Sequence, residues 1–145
     1  MTRVTKAIER TLKLYPDLKA TIKRGEGLNA DPQLCPWVGI YIGDSDHEAA
    51  FLAGGDRPWR VIAEVELYLQ HTSPESGEQA QDRVQALAKT IREALQANIS
   101  LNDESGRAVC FIRNITETPG YALGATPDNY YFRTLVITVT MEARA

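Results

Sequence analysis

The sequence predicts an α+β fold: a mixed, mainly antiparallel sheet with two helices packed on one face. Two stretches, WRVIAEVELYLQ at 59–70 and YYFRTLVITVTMEA at 130–143, alternate apolar and polar residues with period two. A strand does this when one side is packed and the other is wet. Two further stretches, at 3–15 and in the region after residue 76, space their apolar residues at helical intervals. The order helix, strands, long helix, strands then segregates the helices to one face of the sheet.

Composition sets the outer bounds. At 145 residues the chain fits one domain, residues 1–145, with a core of respectable size. Its 43% apolar and 24% charged residues are ordinary for a globular protein. Apolar runs such as LVITV are too short for a membrane span, and MTRVTKAIERTLKLYP is charged where a signal peptide needs an apolar stretch. A cytosolic protein is therefore expected. Nucleic-acid binding through counterion release needs a basic face. The net charge is −3, and Lys and Arg cluster along the sequence no further than pairs such as Lys23-Arg24.

At the N-terminus, Val4, Ala7, Ile8, Thr11, Leu12 and Tyr15 form one stripe, with Arg3, Lys6, Glu9, Arg10 and Lys13 around it and Pro16 stopping the helix. KATIKRG at 19–25 reads as a short strand and GEGLNADPQLCP as turn chemistry. WVGIYIGD at 37–44 alternates, with Val38, Ile40 and Ile42 on one side and Trp37 and Tyr41 on the other. A connection at 45–58 leads to the first long strand. Its odd positions from Trp59 to Leu69 are apolar, and Arg60, Glu64, Glu66 and Gln70 belong to its wet side.

HTSPESGEQ at 71–79 announces the second helix: Ser73 can cap, Pro74 suits the first helical position, and Ser76 with Gln79 matches a capping box. Val84, Leu87, Ala88, Ile91 and Leu95 make its apolar face. A helix of about 20 residues is ~30 Å long and should supply most of the core. NDESG then reads as a turn, AVCFIRNITE as a strand and TPGYALGATPDN as a loop. In the terminal strand, Leu135, Ile137, Val139 and Met141 alternate with Thr134, Val136, Thr138 and Thr140. Threonine there is a strand former.

Chemistry is sparse. The glycines at 25–27 and 54–55 lack the lysine and the strand-to-helix setting of a phosphate loop. Cysteine and histidine spacings match no metal motif, so neither metal nor cofactor is expected. Asp44, Asp46, His47 and Glu48 form the densest polar cluster, which reads as a solvated turn without the glycine and acidic anchor of a calcium loop. Ser73 and Ser76 lie near His71, but capping accounts for them. Cys35 and Cys110 sit in apolar contexts and read as buried thiols, with a disulfide as the alternative.

The unusual feature is apolar content in connections: Phe51 and Leu52 in EAAFLAGG, Tyr121 and Leu123 in PGYALGA. Such residues either fold back over the core or bury against another subunit. Glu64 and Glu66 would make the wet face acidic.

The chain resembles the tail terminator, or tail completion, proteins of long-tailed bacteriophages and related prophages. The resemblance covers nearly the whole chain. It rests on an N-terminal helix ending in LYPDL, a WVGIYIGD strand, a long hairpin loop, the strand-to-helix unit WRVIAEVELYLQHTSPESGEQAQDRVQALAKTIREAL, and a terminal YYFRTLVITVTMEA strand. It implies a small structural protein, not an enzyme, that forms a hexameric ring at the head-proximal end of the tail tube. The implied partners are further copies of itself, the tube protein and a head-completion or connector protein. The implied location is the virion tail, with assembly in the host cytoplasm. Phe51, Leu52, Tyr121 and Leu123 then become candidate subunit-interface residues, and Glu64 and Glu66 candidate channel-facing residues that let DNA slide. The competing reading is a ferredoxin-like α+β domain that binds or converts a small molecule, which needs convergent polar groups in an apolar cleft. A further phage neck or tail component of the same fold is the nearer rival.

Overall fold

The computed structural model describes residues 2–28, 31–41, 48–50, 60–119 and 131–144. They form helix α1 (Thr2–Leu14), strands β1 (Thr21–Arg24), β2 (Trp37–Tyr41), β3 (Glu48–Ala50) and β4 (Arg60–Ser73), helix α2 (Gly77–Gln96), and strands β5 (Ser100–Asn102), β6 (Ala108–Pro119) and β7 (Tyr131–Arg144). The sheet order is β1-β2-β4-β7-β6-β5, with β3 also paired to β4. Among the described residues only β1 and β2 run parallel; every other described pairing is antiparallel. The fold is thus α+β, with a mixed, mainly antiparallel sheet and both helices on one face.

The β4–β7 pair is the spine. It keeps register from Arg60↔Arg144 to Ser73↔Tyr131 without a slip. At ~3.4 Å per residue each 14-residue strand spans roughly 45 Å, against ~30 Å for the 20 residues of α2. The pair is therefore longer than the helix that backs it. Its aliphatic face is continuous: Val65, Leu67 and Leu69 lie opposite Val139, Ile137 and Leu135, all buried. Val84, Leu87, Ala88, Ile91 and Leu95 of α2 close over them, and Val4, Ala7, Ile8 and Leu12 of α1 complete the core. The helical stripes and the aliphatic rows Val65–Leu69 and Leu135–Met141 of the two long strands stand as the sequence predicts.

Three local expectations need correction. The turn read at NDESG begins inside a strand, because Ser100–Asn102 pairs with β6 before the chain turns at 103–107. Pro74 does not open α2. Ser76 is the N-cap, its Oγ accepting from the Gln79 amide at 3.0 Å, while Ser73 remains in β4 and its Oγ accepts from the Glu75 amide at 3.0 Å. Part of the 45–58 connection is also strand, since Glu48–Ala50 pairs with Arg60–Ile62.

Candidate functional site

The face of the sheet turned away from the helices is the first candidate surface, and it divides into an open half and a closed half. In the open half Glu64 is exposed and Glu66 half-buried, both alternating with the buried Val65 and Leu67. Across the β4–β7 ladder they face Thr140 and Thr138. The Tyr68 hydroxyl donates to Glu66, and the Tyr41 ring meets Tyr68 edge-on at 6.2 Å and 69°. That hydrogen bond, followed by burial and the negative charge of Glu66, pushes the Tyr68 hydroxyl pKa up to about 12. On the far strand, Arg113 sits at an irregularity between Ile112 and Asn114 and pairs with Glu142 at 3.3 Å. The open half therefore carries Glu64, Glu66 and threonines, with Tyr68 of β4 and Tyr41 of β2 on one side and the Arg113–Glu142 pair beside the exposed Phe111 on the other.

The closed half corrects the expectation of one uniformly wet face. Trp37, Gln70, Thr72, Phe132 and Thr134 all point to this side by register, and all are buried. The chain between β1 and β2 folds across them: Trp37 Nε1 donates to the Gly27 carbonyl at 2.7 Å. Gly39 makes that approach possible, because a Cβ there would lie 2.3 Å from the carbonyl oxygens of both Glu26 and Gly27. Gln70 is wholly buried, and neither atom of its amide has a hydrogen-bond partner.

The titratable groups singled out in the sequence are occupied by the fold. His71 Nδ1 accepts from the Thr72 amide at 2.9 Å, and burial holds the imidazole pKa below its ordinary value, with the nearby Arg83 charge acting the same way. Ser73 Oγ is bonded to Gln79. Cys35 is half-buried and Cys110 buried, both free, and burial pushes each thiol up to about 11. Among the described residues, no group of three or more His, Cys, Asp or Glu is placed to hold a metal, and no helix is long and apolar enough to cross a membrane. Asp44, Asp46 and His47, together with Phe51, Leu52, Tyr121 and Leu123, lie outside the described residues.

A second candidate surface lies along α1, where the charged residues around the apolar stripe gather. Arg3, Lys6, Arg10 and Lys13 follow one another at intervals of three and four residues, which places them on one side of α1. Together with Arg24 of β1 and the turn at 103–105 they line a groove of about 770 Å³. Glu9 is shared between Lys13 at 3.5 Å and Arg24 at 3.3 Å, and Arg10 donates to the Asp103 carbonyl. Leu14 stands at the groove's edge with 69% of its surface exposed. The helical spacing was the available signal. Arg24 and the turn join only through the fold.

No family model and no curated protein matches the chain. Among solved structures, it is similar to a chain in the virion of a native gene transfer agent particle, with a TM-score of 0.46 and 10% identity over 98% of this chain and 96% of that one. A likeness at that level concerns the general arrangement of elements and carries no role with it.

Proposed function

We propose that this chain is a structural, non-catalytic subunit of a long-tailed phage or prophage particle: a tail terminator that assembles as a hexameric ring on the last ring of the tail tube. The ring would end tube growth and offer its other side to a head-completion or connector protein. The observation that carries the reading is the β4–α2–β7 unit, two 14-residue strands paired in register along their whole length and backed on one side by a single capped helix. Such a unit is a wall segment. Both strands are longer than α2, and in this reading neighbouring subunits continue the wall.

In this reading the open half of the sheet, with Glu64 and Glu66, faces the channel. Carboxylates there repel the phosphate backbone and leave passing DNA unbound. Phe51, Leu52, Tyr121 and Leu123 contribute to subunit contacts. A ligand-binding domain would instead place polar groups in an apolar cleft between sheet and helices. The described helix-facing positions of β4 and β7 from Val65 to Leu69 and from Leu135 to Met141 are aliphatic or methionine.

The test is light scattering coupled to size exclusion over a wide concentration range, with micrographs of the largest species. Rings with sixfold symmetry that shorten tubes when added to polymerising tube protein are the expected result. A strict monomer, or a compact twofold dimer at every concentration, would overturn the reading.

A further inference from the structure

Charge is distributed unevenly along this chain. Seven of its 16 Lys and Arg but two of its 19 Asp and Glu fall within the first 24 residues, so that segment carries +5 and the remainder −8. The fold concentrates the excess. Five of those seven cations line the α1 groove, against Glu9, Asp103 and Glu104 as the groove's acids. Glu9 already serves two cations, and Lys6 is exposed with no carboxylate partner among the described residues.

The opposite charge is presented at the far end of α2. The groove opens beside the turn at 103–105, just past β5, which follows the C-terminal end of that helix. Its N-terminal end, ~30 Å away along the helix axis, carries Glu75, Glu78 and Asp82. Glu78 and Asp82 are both exposed and one turn apart, and among the described residues no ion pair engages either. The neighbouring cations are turned to backbone: Arg83 donates to the Thr72 carbonyl at 2.9 Å and Arg133 to the Phe132 carbonyl at 2.8 Å.

We infer that the basic α1 groove docks the acidic N-terminal end of α2 of a second copy, so that subunits join head to tail. Two unlike patches at opposite ends of one subunit are what a heterologous contact requires, and a contact of that kind closes into a ring or runs into a filament. Leu14 at the groove's edge provides apolar area to a contact that is otherwise ionic. This inference names the lateral contact and rests on the ring reading above. Nucleic acid is the poorer occupant, because the groove's cations are interleaved with three carboxylates and the rest of the chain is strongly acidic.

Two double charge reversals test it: Lys6→Glu with Lys13→Glu in the groove, and Glu78→Lys with Asp82→Lys on α2. Each protein is first shown to be folded by circular dichroism and melting. Either variant alone sets like charges against each other and is expected to remain monomeric at concentrations where the wild type assembles. Mixed in equal amounts, each variant's groove meets the complementary end of the other, and alternating assemblies return. Wild-type assembly weakens as salt rises from 50 to 500 mM. If either folded variant still assembles, or the mixture stays monomeric, the contact is wrong while the ring stands. A wild type that never associates overturns both. Should a reversal fail to fold, the neutral pair Lys6→Gln with Lys13→Gln replaces it. At least tenfold weaker association is then expected, and unchanged association refutes the contact.

Discussion

Replacing Gln70 by methionine should stabilise the protein, although it removes a polar side chain from the middle of the longest strand pair. Gln70 lies on β4 between Trp37 and Thr134, has no exposed surface, and both its amide atoms lack partners. A buried amide group without hydrogen bonds costs about 1–3 kcal/mol on the scale of protein substitutions. Methionine keeps the unbranched length and removes both polar atoms, so most of that cost is recovered, less a few tenths for imperfect packing. Unfolding 145 residues at ~2.1 cal/mol/K each gives an entropy of roughly 0.3 kcal/mol/K, so the gain corresponds to an increase in Tm of about 3–10 °C. Urea titration and calorimetry on both proteins measure it. A loss of 1 kcal/mol or more in Gln70→Met would show that the amide is hydrogen-bonded in solution, and the account of the closed sheet half would fail.

Gly39→Ala should cost about 2–4 kcal/mol, because the new methyl displaces the carbonyls of Glu26 and Gly27 and strains the 2.7 Å Trp37 bond; a blue shift or loss of intensity in Trp37 fluorescence should accompany the lower urea midpoint. Ser76→Ala removes the acceptor for the Gln79 amide and should cost about 1 kcal/mol by the same titration, whereas Pro74→Ala, outside the helix, should stay within ~0.5 kcal/mol. Burial disfavours the charged form of His71 in the fold, so the unfolded chain binds the additional proton: stability is full above the ordinary histidine value of about 6.5 and falls as pH drops from there towards the lowered folded pKa. Melting curves between pH 5 and 8 should show that slope, and His71→Gln should flatten it.

What could be read in the sequence was whatever repeats along one element. The β4 and β7 alternation survives because a single aliphatic row, Val65 to Leu69 against Leu135 to Met141, settles which way every other residue points. The α1 and α2 stripes were legible for the same reason. The closed sheet half was not. Trp37 and Gln70 occupy the polar phase of their strands, and Trp37 is covered by Glu26 and Gly27 crossing over Gly39, a contact with no local period. β5 escaped notice because SLN holds one apolar residue, and its strand state comes from pairing with β6. The capping residue was half legible: Ser73 and Ser76 both suit the role, and the register of β4 with Tyr131 keeps Ser73 in the sheet.

The cationic side of α1 shows how stability and association can be told apart. Lys13 and Arg24 share Glu9 at 3.3–3.5 Å on a partly exposed surface, where ion pairs contribute about 0–1 kcal/mol. Lys6 contributes less, since it is exposed and lacks a carboxylate partner among the described residues. Folding accounts for Arg10, which holds the Asp103 carbonyl, and in part for Lys13 beside Glu9, but it gives little reason for Lys6 on the same side of α1 in a chain whose net charge is −3. Neutralising Lys6 and Lys13 should move the melting temperature within the range of ordinary surface substitutions, about ±0.5 kcal/mol. Between two subunits the same charges act together across a desolvated contact, where one pair left unmatched costs several times that amount. A pair of substitutions that leaves melting in place and abolishes assembly thus assigns these lysines to the neighbour. Equal losses in both would return them to the monomer.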